Sequence, residues 1–198
     1  MIYMGNNLEI IKEYLGKKRS DTLTNDDVCM INSVMWSLKS KDPSTQVGAY
    51  VVGKDGRVLS AGYNGTPNGW SDDDFPWRND VKEIGEENTK YPYVIHAEMN
   101  SIMNYKGSLK DFNNATIYVT LFPCVNCAKL IVQSGIKRVV YLHDDRKDTM
   151  DNICAKLLLK KCGVEIVDYS VLKTIYGIDL SLNSEKKDSA EIKKLEKK

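Results

Sequence analysis

The first half of the chain changes from a helical to a strand-like spacing of its hydrophobic residues. Between positions 25 and 40 the apolar residues recur every three or four positions, which predicts a helix with Asn25 as its N-cap. The predicted apolar face of this helix consists of Val28, Ile31, Val34, Met35 and Leu38. Two further apolar runs and the turn between them predict a β-hairpin at 47–52, 54–56 and 58–63.

The second half of the chain alternates between helical and strand-like segments. Helices are predicted at 96–105, 124–134 and 150–162, and strands at 115–120, 138–142 and 164–168. Gly135 follows the second of these helices, where a C′ glycine commonly ends a helix. Alternating strands and helices predict a layered α/β fold, and the hairpin makes its sheet mixed rather than purely parallel.

Composition and charge narrow the class of protein. The chain has 198 residues, 42% of them hydrophobic and 28% charged, which suits one soluble domain with its own core. The formal net charge of +1 offers no electrostatic reason to expect nucleic-acid binding. No apolar run approaches the roughly 20 residues that span a bilayer, and no signal peptide is predicted at the N-terminus. Five cysteines, an odd number without a dense framework, indicate a reducing, cytoplasmic compartment.

The composition also changes near the C-terminus. Residues 184–198 contain six lysines and four acidic residues, a mixed-charge pattern typical of solvated tails. The predicted organisation is therefore an N-terminal extension at 1–24, a folded domain at 25–183 and a charged tail at 184–198. Three cysteines, Cys29, Cys154 and Cys162, lie on predicted helices and are interpreted as buried structural residues.

One histidine and two cysteines form the strongest candidate for chemistry. Cys124 and Cys127 are three residues apart at the start of a predicted helix, so they share a face where the helix dipole favours thiolates. With a neutral imidazole from His96 they would give Zn²⁺ three ligands and leave its fourth position open, as in catalytic zinc sites. A cysteine pair buried in a helix, with His96 in the core, is the structural alternative.

Glu98 supplies the acid/base group that such a site requires. A carboxylate beside a metal-activated water can take up its proton and return it elsewhere. On a regular helix, however, positions 96 and 98 diverge by about 200°. The two side chains can converge only if His96 lies at the helix start. The combination of H-A-E with P-C-x-x-C is the signature of zinc nucleobase deaminases.

Further motifs extend this likeness from about residue 25 to 184. They are SKDPSTQVGA at 40–49, GYNGTPNG at 62–69, SDD at 71–73, PWR at 76–78, KYPY at 90–93, HAEMN at 96–100, LFPC at 121–124 and CAKLI at 127–131. On these residues the chain resembles the deoxycytidylate (dCMP) deaminases of the cytidine-deaminase-like superfamily, in particular those of the eukaryotic type.

The resemblance implies a fold, a reaction and a set of roles. The fold is a three-layer α-β-α sandwich with a mixed five-stranded sheet, assembled as a homo-hexamer. The reaction is the hydrolysis of dCMP to dUMP and ammonia, which supplies dUMP for dTMP synthesis. In this reaction His96, Cys124 and Cys127 bind one Zn²⁺ per chain, while Glu98 shuttles protons during attack on C4 of cytosine. Some relatives hold a second, structural zinc with further His and Cys ligands, but this chain has only His96 and His143 and no spare Cys pair at close spacing.

The same resemblance implies contacts with the substrate. Asn64 matches a residue that contacts the nucleotide, and the backbone at Ala97 lies against the base. For the 5′-phosphate the residues themselves leave several candidates. Arg146 and Lys147 follow a predicted strand, where α/β folds place their sites, and the rivals are Ser40, Lys41, Ser44 and Thr45. A solvated Arg146 is the alternative.

The resemblance also implies regulation, through the loop at 62–69. The family is activated by dCTP with Mg²⁺ and inhibited by dTTP, and the residues expected to bind these effectors are Asn64, Gly65, Asn68 and Gly69. Glycines let a backbone approach phosphates closely. Ordinary turn chemistry also explains Asn-Gly pairs.

Two other functions compete with this interpretation. A deaminase of free (deoxy)cytidine or of tRNA would use the same chemistry, although a tRNA enzyme would need a basic face. A non-catalytic zinc-binding interaction module would have no use for Glu98 and would close the fourth zinc position with protein. We therefore expect a cytoplasmic enzyme with small nucleotides as its partners, and neither nucleic acid nor membrane.

Overall fold

A computed structural model describes residues 18–169 and contains one mixed sheet of five strands. The strands are β1 (Gly48–Val52), β2 (Val58–Tyr63), β3 (Thr116–Leu121), β4 (Arg138–His143) and β5 (Glu165–Asp168). The helices are α1 (Asn25–Ser37), α2 (Val81–Ile84), α3 (Ala97–Met103), α4 (Val125–Ser134) and α5 (Met150–Lys161). Short 3₁₀ turns lie at Glu86–Asn88 and Leu109–Phe112. The predicted elements are confirmed, whereas α2 and the two 3₁₀ turns were not predicted.

The sheet has the order β2-β1-β3-β4-β5. The hairpin β1–β2 and the pair β1–β3 are antiparallel, and β3, β4 and β5 run parallel. This confirms the mixed sheet. Parallel neighbours need a crossover connection, which α4 supplies between β3 and β4 and α5 supplies between β4 and β5.

Alternating residues of the strands face two separate hydrophobic clusters. Val119 of β3 and Val139 of β4 pack with α3, α4 and α5 on one face. Their neighbours Tyr118 and Val140 pack with Met30 of α1 on the other face. The sheet therefore lies between two helical layers, as the three-layer prediction states.

The buried face of α1 differs from the predicted one. Val28, Met35 and Leu38 are exposed, and Ser33 and Ser37 are buried instead. The reason is the close approach of α1 to β1: a Cβ at Gly48 would lie 1.9 Å from the carbonyl oxygen of Ser33. Only small residues fit there. Their hydroxyls donate to carbonyls one turn back in the helix, which offsets the cost of burying them.

Two smaller corrections concern a helix cap and a cysteine. The N-cap of α1 is Thr24 rather than Asn25, and it forms a capping box with Asp27. Cys154 is exposed, contrary to the prediction, while Cys29 and Cys162 are partly buried. The reason lies in α5, whose inner face consists of Asn152, Ala155 and Leu159 and excludes position 154. The predicted C′ glycine, Gly135, is confirmed with φ of 92°.

The described range limits what the structure says of the domain boundaries. Helix α1 begins at Asn25, the predicted start of the domain. The predicted end at 183, the tail at 184–198 and most of the extension at 1–24 lie outside the described residues. Within residues 18–169, no helix is long and apolar enough to cross a membrane.

Candidate active site

The ends of two helices bring His96, Cys124 and Cys127 together. His96 is the N-cap of α3, Cys124 is the N-cap of α4, and Cys127 lies in the first turn of α4. The Nδ1 atom of His96 lies 3.5 Å from Sγ of Cys124 and 3.4 Å from Sγ of Cys127. All three candidate ligand atoms lie within 4.8 Å of one another.

This geometry fits a tetrahedral zinc ion. Ligands at the usual Zn–S and Zn–N distances of about 2.3 and 2.0–2.1 Å place nitrogen and sulfur about 3.6 Å apart. The two observed nitrogen–sulfur distances agree with that value. Two thiolates and a neutral imidazole also balance the charge of Zn²⁺, so the donor set suits this metal.

The two helices are held in place by close packing on the sheet. Helix α3 packs on β2 at Gly62, where a Cβ would lie 2.5 Å from the backbone nitrogen of Ser101. Helix α4 follows β3 directly, and its first residues are reached through Phe122 and Pro123. The sequence thus places both helix N-termini, with their partial positive charge, at the same point.

Glu98 lies in the first turn of α3, beside the three candidate ligands. Its side chain is buried, and its residue is 3% exposed. His96 has φ of −70° and ψ of 153°, an extended conformation outside the helix. This bend removes the divergence that a regular helix would impose on positions 96 and 98. Burial is the largest cause that raises the pKa of Glu98, and its carboxylate also contacts the thiol of Cys127.

The pKa values of the two thiols are shifted in opposite directions in this arrangement. The hydrogen bond from Cys127 is the main cause that lowers the pKa of Cys124 to about 3. The same bond, together with burial, raises the pKa of Cys127. Hydrogen bonding to Cys124 also raises the pKa of His96. The first thiolate is therefore available at neutral pH, and metal binding would release the remaining proton.

A cavity of about 270 Å³ opens beside this cluster. Its walls include His96 and Glu98 together with three predicted substrate residues, Asn64, Ala97 and Arg146. Arg146 lies in the loop after β4, beyond the carboxyl end of that strand. The structure therefore brings one group of candidate residues to a single cavity, although the chain separates them widely.

The structure places Ser40 and Lys41 outside the walls of this cavity. The hydroxyl of Ser40 donates to the backbone oxygen of Asn64 at 2.8 Å, behind the wall. Lys41 pairs with Asp72 and lines a second cavity, of about 300 Å³. This cavity also contains three of the predicted effector residues, Gly65, Asn68 and Gly69.

Asp42 and Lys90 are among the residues in the wall of the first cavity that sequence reasoning did not single out. Asp42 and Lys90 form an ion pair with side chains that are 2% and 5% exposed. Charged residues 48 positions apart look like ordinary surface residues in a sequence. Their presence in the motifs at 40–49 and 90–93 was the only available signal.

A three-layer α/β fold with a His-Cys-Cys cluster and a buried glutamate defines a zinc-dependent nucleobase or nucleotide deaminase. The family model for the cytidine and deoxycytidylate deaminase zinc-binding region matches residues 24–143. The chain belongs to this family.

Known proteins support the same family. The chain is 43% identical to deoxycytidylate deaminase of Mus musculus over 169 residues, covering 85% of this chain and 93% of the relative. It is 44% identical to the Homo sapiens deoxycytidylate deaminase over 148 residues, or 75% of this chain and 81% of the relative. A crystal structure of dCMP deaminase from cyanophage S-TIM5 with dCMP and dUMP aligns with a TM-score of 0.53 and 26% identity, over 81% of this chain and 96% of that one.

Proposed function

We propose that this protein catalyses the hydrolysis of dCMP to dUMP and ammonia. Relatives that are 43–45% identical over most of the chain are deoxycytidylate deaminases. The observation that carries the proposal is the position of Glu98, buried beside three zinc-type ligands and facing a nucleotide-sized cavity. A structural zinc module would have no use for this carboxylate.

His96, Cys124 and Cys127 would hold the zinc, since their donor atoms fit the ion in distance and charge. When bound, zinc lowers the pKa of a water molecule to about 7 and so supplies the nucleophile at neutral pH. The three residues fix where this happens, at the junction of α3 and α4. Helix dipoles at both N-termini support the anionic sulfur ligands.

Glu98 moves the protons of the reaction. It takes one proton from the attacking water and delivers it to N3 of cytosine while the water oxygen bonds to C4. It then moves the remaining proton of that oxygen to the exocyclic amine, which leaves as ammonia as the C4–N bond breaks and the C4 carbonyl forms. Because burial raises the pKa of Glu98, the carboxyl can hold a proton between these steps. Its buried position also keeps bulk water from exchanging that proton.

Three residues would position the nucleotide in the cavity. The backbone at Ala97 lies against the base, because a small, fully buried residue leaves room for it. Asn64 contacts the sugar. Arg146 meets the 5′-phosphate, and its place in the cavity wall favours it over Ser40 and Lys41.

Replacing Glu98 by Gln tests the proposal. We expect the Glu98→Gln variant to bind zinc as well as the wild type does and to lose about 10²–10⁴-fold in dCMP turnover, because Gln cannot transfer the proton. Zinc content by elemental analysis and ammonia release would be measured together. Undiminished activity would refute the role of Glu98. Wild-type protein that holds zinc without deaminating dCMP, deoxycytidine or tRNA would instead favour the interaction module.

The second cavity supports a proposal on regulation. We infer that dCTP with Mg²⁺ activates the enzyme, and that dTTP inhibits it, by binding in this cavity. We also propose that the chains are cytoplasmic and assemble as a homo-hexamer. The two cavities have adjacent residues in their walls, since Lys41 and Gly65 line the second, and Asp42 and Asn64 line the first. A ligand in one cavity would thus act directly on the wall of the other.

For the organisation of the chain we propose a catalytic domain at 25–183 between an N-terminal extension and a charged tail.

A further inference from the structure

We propose that the buried ion pair between Lys90 and Asp42 positions the carboxamide of Asn64 so that it accepts a hydrogen bond from a sugar hydroxyl of the substrate. Lys90 and Asp42 are thus positioning residues that determine sugar selectivity. This inference rests on the proposed deamination of a nucleotide in the first cavity.

The ion pair is closely bonded and almost completely buried. The Nζ atom of Lys90 lies 2.7 Å from Oδ1 and 2.6 Å from Oδ2 of Asp42. Asp42 also accepts the backbone N–H groups of Ser44, at 2.8 Å, and Thr45, at 3.1 Å. The pair therefore joins the loop before β1 to the segment that leads to His96.

Stability alone does not account for such a pair. Removing two charges from water costs several kcal/mol per ion, and an apolar pair of similar volume is often equally stable or more stable. A buried pair instead holds polar neighbours in one arrangement when all of its hydrogen bonds are made. The neighbour of interest here is Asn64, which lines the same cavity.

The carboxamide of Asn64 is held by three hydrogen bonds. Its Nδ2 donates to Oδ2 of Asp42 at 3.3 Å and to the backbone oxygen of Thr45 at 2.9 Å. Its Oδ1 accepts the backbone N–H of Val47 at 2.8 Å. The amide orientation follows from these partners, because a flipped group would place two donors against each other at Val47. Both amide hydrogens are used, and one lone pair of Oδ1 remains.

The free lone pair of Oδ1 of Asn64 can bind only a hydrogen-bond donor of the substrate. It disfavours the phosphate oxygens, which are also acceptors. The neutral donors of dCMP are the exocyclic amine and the single sugar hydroxyl. The amine must lie beside Glu98, where it leaves as ammonia. The remaining donor, the 3′-hydroxyl, is therefore the group that Asn64 recognises.

Loss of Lys90 would disturb this arrangement. In Lys90→Met the carboxylate of Asp42 would be buried without its cation. It would have to move toward water to be solvated, and its hydrogen bond to Asn64 would then be broken. In the double variant Lys90→Met/Asp42→Asn both charges are gone, so the stability cost of the unpaired charge disappears. Because the N–H groups of Ser44 and Thr45 would retain the oxygen of the new amide, its NH2 group would face Nδ2 of Asn64, donor against donor. The hydrogen bond that holds Nδ2 would therefore be lost.

The test compares dCMP with 2′,3′-dideoxycytidine monophosphate, which lacks the 3′-hydroxyl. We expect wild-type enzyme to prefer dCMP in kcat/KM by roughly tenfold, the value of one hydrogen bond of about 1.4 kcal/mol. In both variants the preference falls toward one, mainly because KM for dCMP rises. The ratio does not depend on the folded fraction of a preparation, so a merely structural role would leave it unchanged.

Arg138→Met is the matched control. This variant breaks another ion pair between distant segments, in which a guanidinium nitrogen of Arg138 lies 2.7 Å from Oδ2 of Asp26. Neither residue lies in the cavity wall. We expect a lower Tm and an unchanged preference for dCMP. The proposal is overturned if Lys90→Met and the double variant also lower Tm without changing the preference, or if wild-type enzyme shows no preference while deaminating both nucleotides. If wild-type enzyme deaminates neither nucleotide, the proposed function itself fails.

Discussion

At the scale of single residues, His96 decides whether Glu98 can take part in chemistry. Its extended backbone at the start of α3 lets an imidazole and a carboxylate two positions apart face the same cavity. For Asn64 the side-chain contacts are decisive instead, because its hydrogen-bond partners determine which of its atoms remains available to a ligand. A side chain in this site therefore acquires its role from the contacts around it.

A residue-scale prediction concerns Arg146. If its guanidinium meets the 5′-phosphate, Arg146→Ala should raise KM for dCMP by about 10–100-fold, since hydrogen bonds to charged groups contribute about 1.5–3 kcal/mol. Deamination of deoxycytidine, which has no phosphate, should hardly change. Steady-state kinetics with both substrates would measure this. Lys147→Ala is the control, since Lys147 follows Arg146 in the chain and does not line the cavity. An equal loss with both substrates would contradict the phosphate contact.

At the scale of elements, the starts of α3 and α4 are the parts of the fold that create the site. Both helices begin where the chain leaves an extended segment, and their N-caps supply two of the three candidate ligands. On the opposite face, α1 is fixed to the sheet by an ion pair as well as by packing. Arg138 of β4 donates to both carboxylate oxygens of Asp26, at 2.9 and 2.7 Å.

This attachment predicts a pH dependence of stability. The hydrogen bond from Arg138 is the main cause that lowers the pKa of Asp26 in the folded protein. A lowered folded-state pKa contributes stability above the unfolded value of about 3.9, and this contribution is lost as the pH falls through the folded pKa. We expect Asp26→Asn to reduce the free energy of unfolding by about 1 kcal/mol at pH 7, because the pair is partly exposed.

The measurement is urea unfolding of the wild type and of Asp26→Asn between pH 7 and pH 3. The difference between the two proteins should shrink toward the acid end of this range. Asp55→Asn serves as the comparison, since Asp55 and its partner Arg57 are both exposed and should contribute little at any pH. A difference for Asp26→Asn that does not change with pH would contradict the prediction.

At the scale of the whole molecule, the sheet gathers residues from five separate segments at one end. Phe122 follows β3, Arg146 follows β4, and Asn64 follows β2, and all three reach the same cavity. Lys90 lies in the segment between β2 and α3, and His96 is the N-cap of α3. In the same arrangement, residues that are adjacent in the chain line different cavities: Asp42 and Asn64 line the first, and Lys41 and Gly65 line the second.

The proposed regulation is a whole-molecule prediction. We expect dCTP with Mg²⁺ to shift the dCMP saturation curve to lower substrate concentration and dTTP to shift it to higher concentration, because effectors change the populations of two states with different affinities. The curves would be recorded with each effector, with and without Mg²⁺, and the oligomeric state followed by light scattering. Superimposable curves would exclude control through the second cavity.

Short-range pattern in the sequence determined the strands, most of the helices, and the three candidate zinc ligands with Glu98 beside them. Hydrophobic spacing and the H-A-E and C-x-x-C intervals are local properties, and the N-cap positions of His96 and Cys124 follow from them. Only the tertiary structure decided which face of α1 is buried, because the close contact at Gly48 overrides the apolar spacing. It alone also paired Asp42 with Lys90, since the energy of an ion pair depends on a distance and a burial that no spacing along the chain encodes.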